Sequence, residues 1–60
     1  MYCFIATYYN VDADAETKRE IKFDGQFFNS EKECYMHAMH IAYDGTKSNE
    51  CFISLELLYC

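Results

Sequence analysis

The chain has 60 residues, of which 52% are hydrophobic and 18% aromatic, with two glycines and no proline. This composition is typical of one small folded domain and argues against a disordered chain. Ten acidic residues against five basic ones give a formal net charge of −5, which disfavours direct binding to nucleic acid. A domain of this size buries only about 60% of its unfolded surface, so its stability is expected to be marginal.

The sequence also bears on the cellular compartment. The opening residues lack a basic segment followed by an apolar one, and no apolar run approaches the roughly 20 residues of a membrane span. These features predict a cytoplasmic protein that does not contact a membrane. Its four cysteines are then expected to be reduced thiols.

The first half of the chain predicts two strands. Residues 2–11, YCFIATYYNV, are β-branched and aromatic with apolar side chains on both faces, which is typical of a central strand. After a polar loop, DADAET, the segment KREIKFDGQFF alternates charged residues with Ile21 and Phe23 and is predicted to be an edge strand. Asp24-Gly25 fits either a hairpin turn or a glycine bulge.

The second half predicts a helix and a third strand. Ser30 and Glu33 have the spacing of a capping box, which places the start of a helix there, and Gly45 marks its end. Residues 51–60, CFISLELLYC, then predict a strand whose strict alternation assigns one face to Cys51, Ile53, Leu55, Leu57 and Tyr59.

Together these elements predict a single α+β domain over residues 1–60 in the order ββαβ. A right-handed crossover gives a three-stranded antiparallel or mixed sheet in the order 2-1-3, with the helix packed on one face. Because one helix covers only one face of such a sheet, the other face is expected to expose apolar side chains.

The predicted helix has apolar residues on two sides. At about 100° per residue, Cys34, Ala38, Ile41 and Ala42 share the side that faces the sheet. Methionine and tyrosine on the opposite side are unusual for a merely solvated surface, because both are frequent in protein interfaces. The predicted partner-binding residues are Met36, Met39, His40, Tyr43, Glu33 and Asp44. Scattered exposed apolar residues, which are common, are the alternative interpretation.

The stretch CYMHAMH, residues 34–40, also invites chemical interpretations. A zinc site of three cysteines and one histidine is conceivable at one end of the domain, although the chain has no C-x-x-C knuckle. A disulfide between Cys3 and Cys60 is the alternative under oxidising conditions. Catalysis by a Cys34 thiolate with His37 as base lacks an orienting third group and an oxyanion loop. The zinc ligands in question are Cys3, Cys34, His37 and Cys60.

Other motifs that bind ions or cofactors do not appear in the sequence. The acidic loop that starts at Asp12 begins like a calcium-binding loop, but Thr17 and Phe23 occupy the positions of its glycine and glutamate. The chain has no glycine-rich phosphate-binding loop. We therefore predict no catalytic residue, metal or cofactor.

The sequence thus predicts a small acidic, non-enzymatic module that binds a larger protein, plausibly one with a basic surface, as an inhibitor or regulator. A phage or mobile-element inhibitor of a nucleic-acid-processing defence enzyme fits this description. One alternative is a self-associating structural protein that forms a homodimer. The other is a small zinc-stabilised domain.

Overall fold

The computed structural model describes residues 1–59, with Phe27 and Tyr59 described by their backbone alone. The sheet has the order β2-β1-β3, and both neighbouring pairs are antiparallel. This arrangement confirms the predicted ββαβ fold with its first strand at the centre. The elements are β1 at Tyr2–Asn10, β2 at Ala15–Phe23, α1 at Glu31–Asp44 and β3 at Glu50–Tyr59.

The core lies between α1 and one face of the sheet. Phe4 and Tyr8 of the central strand are buried there, since alternate residues of a strand point to the same face. The helix presents three small buried residues to them, which allow its backbone to approach the sheet closely. The Tyr8 hydroxyl donates a hydrogen bond of 2.6 Å to the carbonyl oxygen of Ala42 and thereby fixes the last turn of α1 to β1. The three small helix residues are Cys34, Ala38 and Ala42.

The connection between β1 and β2 is tighter than predicted. The side-chain oxygen of Asn10 accepts hydrogen bonds of 3.0 Å from the backbone N–H groups of both Asp12 and Ala13. This local side-chain capture closes the turn, a common role of asparagine. The pairing therefore resumes at Ala15, opposite Asn10, and part of the predicted loop belongs to β2.

The Asp24-Gly25 segment forms neither a hairpin turn nor a bulge but a 3₁₀ turn spanning Gly25–Phe27. The Asp24 carboxylate caps it by accepting a hydrogen bond of 3.0 Å from the N–H of Gln26. Gly25 lies so close to the ring of Tyr2 that an added Cβ would overlap ring atoms Cδ2 and Cε2. Glycine is needed here for close approach, because its φ is not positive.

The ends of α1 confirm the predicted boundaries. The Ser30 hydroxyl accepts a hydrogen bond of 3.3 Å from the N–H of Glu33, and the Glu33 carboxylate accepts one of 2.6 Å from the N–H of Asn29. At the other end, the N–H of Gly45 donates to the carbonyl of Ile41 at 2.9 Å. In the described chain, no helix is both long enough and apolar enough to cross a membrane.

Strand β3 departs from the predicted strict alternation. Its register with β1 shifts between Thr7 and Tyr8, which pair with Ser54 and Phe52, so Ile53 is an extra residue. A second shift lies near the strand's C-terminal end. Such bulges change which side chains share a face. Phe52 therefore packs on the core with Leu55 and Leu57, whereas Ile53 is exposed, and the predicted set of five residues on one face is wrong.

The far face of the sheet is not the apolar surface that we expected. Cys3 and Thr7 are buried on this face, and Ile5 lies between Glu20 of β2 and Glu56 of β3. Long charged side chains of edge strands cover apolar neighbours with their stems while keeping their charge in water. The charged residues on this face are Glu16, Lys18, Glu20, Lys22 and Glu56.

A partly buried ion pair joins the two edge strands across β1. The guanidinium of Arg19 lies 2.7 Å from the Glu50 carboxylate and 3.9 Å from the centre of the Tyr8 ring, so it also makes a cation–π contact. The Glu50 carboxylate is nearly enclosed and also accepts a hydrogen bond of 3.1 Å from the N–H of Lys47. That backbone hydrogen bond, followed by the Arg19 contacts, lowers the pKa of Glu50 below its usual range despite its partial desolvation.

This lowered pKa predicts a specific acid sensitivity. A carboxylate whose pKa is depressed in the folded state stabilises that state above its unfolded pKa, and the stabilisation is lost as the pH falls through the folded value. We expect Glu50→Gln to lower the melting temperature at about pH 7 and to reduce the further loss of stability from about pH 5 downward. Thermal unfolding followed by circular dichroism across this range measures both effects. Parallel pH profiles for wild type and Glu50→Gln would contradict the assignment.

Candidate protein-binding groove

Helix α1 carries a shallow groove on its outer side, with a volume of about 320 Å³. Residues four apart in a helix lie one above the other, so its lining residues form two adjacent rows along the axis. One row contains Tyr35, Met39 and Tyr43, and the other contains Met36 and His40. We call this surface, lined by these five side chains, the α1 groove.

One row of the groove is anchored on the sheet. The ring of Tyr35 makes an edge contact with Phe4 at 6.0 Å between centroids, and the ring of Tyr43 lies 4.8 Å from that of Phe52. Met39, between the two tyrosines, is partly buried and packs against the core. These contacts give the groove a supported wall, because the aromatic side chains cannot rotate freely without losing them.

The other row faces solvent. Met36 is 54% exposed, and His40 is exposed as well. In the anchored row, Tyr43 at the C-terminal end of the groove is also 60% exposed. An apolar side chain gains free energy in proportion to the area removed from water, at roughly 25 cal/mol per Å². The groove therefore offers a partner apolar surface that the fold of this chain leaves open to water.

The two rows end in charged residues. By four-residue spacing, Glu31 continues the row of Tyr35, while Lys32 and Asp44 continue the row of Met36 and His40 at its two ends. Among residues 1–59, neither Glu31 nor Asp44 forms an ion pair. The ends of the groove thus carry more negative than positive charge, as the whole chain does.

The structure brings together four of the six predicted partner-binding residues, Met36, Met39, His40 and Tyr43, and places Asp44 at the end of the groove. Glu33 is instead engaged in capping the helix, through its hydrogen bond to the N–H of Asn29.

Two side-chain orientations and one groove residue differ from the prediction. Met39, predicted to point away from the sheet, is partly buried, and Ile41, predicted to face the sheet, is 39% exposed. Cys34, Ala38 and Ala42 are the helix residues that face the sheet directly, so Met39 and Ile41 lie on the two flanks of the helix. Sequence reasoning missed Tyr35 as a groove residue, although its spacing of four from Met39 was a usable signal.

The zinc interpretation is not supported by the residues that the structure describes. Cys3 shares a face of the sheet with Lys22 and Glu20, whereas Cys34 lies on the face covered by α1. His37 packs on the rings of Phe23 and Phe28, with centroids 4.8 and 5.0 Å away. Within residues 1–59, no three histidine, cysteine or acidic side chains are grouped to hold a metal. Cys60, and with it the suggested Cys3–Cys60 disulfide, lies outside the described residues.

The catalytic interpretation requires Cys34 to be an accessible nucleophile. Within residues 1–59, Cys3, Cys34 and Cys51 are free thiols, and Cys34 is buried between α1 and the sheet. A substrate has no approach to a buried thiol, and nucleophilic cysteines are partly exposed. The α1 groove contains no thiol, and its polar groups are the imidazole of His40 and the hydroxyls of Tyr35 and Tyr43.

Comparison of the chain with protein-family models, with curated proteins and with solved structures finds no match. The α1 groove and the charges around it are therefore the features from which a function can be inferred.

Proposed function

We propose that the protein is a non-enzymatic binding module that attaches to a larger protein through the α1 groove and acts as its inhibitor or regulator. The observation that supports this most directly is the groove itself, a continuous apolar surface of five side chains on a domain whose core is otherwise closed by α1. Methionine and tyrosine, which form four of its five side chains, are frequent in protein interfaces.

The charge of the chain narrows the class of partner. A net charge of −5 on 60 residues attracts a basic surface and speeds encounter with it. Basic surface patches are typical of proteins that bind nucleic acid. We therefore propose a partner of this class, a nucleic-acid-processing enzyme such as those of phage defence, whose basic channel the module would occupy.

Site-specific photo-crosslinking in the cells that make the protein tests this function. A photoreactive phenylalanine analogue replaces Met36 in the groove, and the same analogue replaces Val11 as a control. Val11 is 52% exposed, close to the 54% of Met36, but lies in the β1–β2 turn. We expect an adduct to a larger protein from position 36 and none from position 11.

The salt dependence of the purified complex tests the charge component. Raising the ionic strength from about 0.1 M to about 1 M shortens the Debye length from about 10 Å to about 3 Å. We expect association to slow and affinity to fall over this range.

Two outcomes of the crosslinking experiment would contradict the proposal. An adduct with the mass of two copies of this chain would support the homodimer alternative, and equal crosslinking from positions 36 and 11 would refute the groove as the binding site.

A further inference from the structure

We infer that the α1 groove accepts an α-helix of the partner, with apolar side chains on one ridge and lysine or arginine towards its ends. This inference rests on the proposed function and specifies what enters the groove. It comes from the shape of the groove, from the strand β3 beside it, and from the charge of the chain.

The shape of the groove is that of a helix-packing surface. Its two rows, Tyr35-Met39-Tyr43 and Met36-His40, are ridges of residues four apart on a single helix. Helices pack by setting a ridge of one into the groove between two such ridges of the other, most often at about −50°. A partner ridge with apolar residues at four-residue spacing would match the rise of these rows.

An extended segment fits the same surface less well. A strand added to the sheet would lie beside β3, but the α1 groove is lined by residues of α1 alone. The two register shifts of β3 also divide its pairing with β1 into two short regular runs, residues 50–52 and 54–57. Bulges of this kind protect edge strands from added strands. A helix is therefore the better occupant of the groove.

A second copy of this chain is also a poor occupant. Two copies each carry a net charge of −5 and repel one another, whereas a basic helix is attracted by its opposite charge. Helix α1 has 14 residues and offers a strip of about 20 by 10 Å, far below the roughly 800 Å² that each partner buries in a specific complex. A larger partner supplies the missing area by continuing beyond its helix over the acidic ends of the groove.

The charged ends of the groove set the sequence of the partner helix. Glu31 and Asp44 are exposed at opposite ends of α1 and have no ion-pair partner within residues 1–59. Lysine or arginine of the partner helix, on either side of its apolar ridge, would approach these two carboxylates. Lys32, near the N-terminal end of α1, favours one acidic residue of the partner helix beside it. Polar residues at the ridge centre would meet the apolar side chains of Met36 and Met39 and lose their hydration there.

Methionine methyl NMR with two synthetic peptides tests the inference. The ridge peptide is alanine-based, about 15 residues long to permit helix formation, with three leucines spaced four apart and lysines at its ends. The strand peptide has the same length, leucines and lysines, with its leucines at alternate positions and threonine in place of alanine to favour an extended chain. The three methionines report directly, because Met36 and Met39 lie in the groove and exposed Met1 is an internal control.

We expect the ridge peptide to shift the methyl resonances of Met36 and Met39 but not of Met1, and to bind about tenfold more tightly than the strand peptide. In the Met36→Lys, Tyr43→Lys variant, the remaining groove reporter, the Met39 methyl, should no longer shift. Equal or tighter binding of the strand peptide, or binding of the ridge peptide without a shift of Met36 or Met39, would overturn the inference. Resonances that move with protein concentration alone would overturn it in favour of a second copy.

The two proposals fail in distinguishable ways. If crosslinking from position 36 yields an adduct to another protein but the ridge peptide does not shift Met36 or Met39, the binding function stands and its helical occupant is rejected. If neither the adduct nor the shifts appear, both are rejected.

Discussion

Phe4→Ala is expected to unfold much of the protein at physiological temperature. Phe4 is fully buried in the central strand β1, and its ring stacks with Tyr2 and Phe23 and meets Tyr35 edge-on. Removing a buried phenylalanine ring costs about 3 to 5 kcal/mol. A chain of 60 residues has a total stability of about 3 to 9 kcal/mol, so the loss is comparable with the whole.

Chemical denaturation monitored by circular dichroism measures this effect. Phe4→Leu is the control, since it keeps most of the buried volume and should cost about 1.5 kcal/mol or less. The aromatic cluster would be a minor contributor to stability if Phe4→Ala lost no more than Phe4→Leu. Loss of the Phe4 ring also removes a contact that supports Tyr35. Phe4→Ala therefore tests the stability of the fold and is unsuited to testing the groove.

The topology was predictable because its signals are local and agree with one another. Apolar residues on both faces of residues 2–11 are needed only by a central strand, and this fixed the order β2-β1-β3. The Ser30 and Glu33 capping pair placed the helix start, and Gly45 its end, because these residues satisfy terminal backbone groups wherever the helix packs. Each of these signals depends on a few neighbouring residues.

The errors arose where distant contacts determine the local structure. The Gly25–Phe27 turn depends on the ring of Tyr2, which lies more than twenty positions earlier in the chain. The shift at Ile53 lets Phe52 reach Tyr8, at 5.8 Å between ring centroids, and an alternating pattern cannot encode that choice. The far sheet face is covered by charged side chains from two edge strands, which a face assignment by residue type overlooks.

Part of the candidate groove was predictable because helical periodicity is also a local signal. Helical periodicity places Met36, His40 and Tyr43 on the outer side wherever the helix packs. The depth of Met39 depends on the rotation of α1 about its axis, which the small residues Cys34, Ala38 and Ala42 determine through their contact with the sheet. Helical periodicity identifies the buried side of α1 only approximately, so residues at the margins of that side are assigned wrongly.

The double substitution Met36→Lys and Tyr43→Lys is expected to abolish partner binding while leaving the fold intact. Both side chains are more than half exposed, and lysine is a good helix former that the C-terminal end of a helix tolerates well. Binding would require two ammonium groups to be desolvated in an apolar groove against a basic partner. Losing two interface anchors of this kind costs about 2 kcal/mol or more each, which corresponds to a loss of affinity of about a thousandfold.

The matched control is Val11→Lys with Leu58→Lys. It makes the same change in charge at two apolar residues that are each 52% exposed, in the β1–β2 turn and near the end of β3. Titration calorimetry with the captured partner should show nearly unchanged affinity for this control and none detectable for the groove variant. Equal losses in the two variants would mean that net charge alone drives association. A loss in the control variant only would move the binding surface from α1 to the ends of β1 and β3.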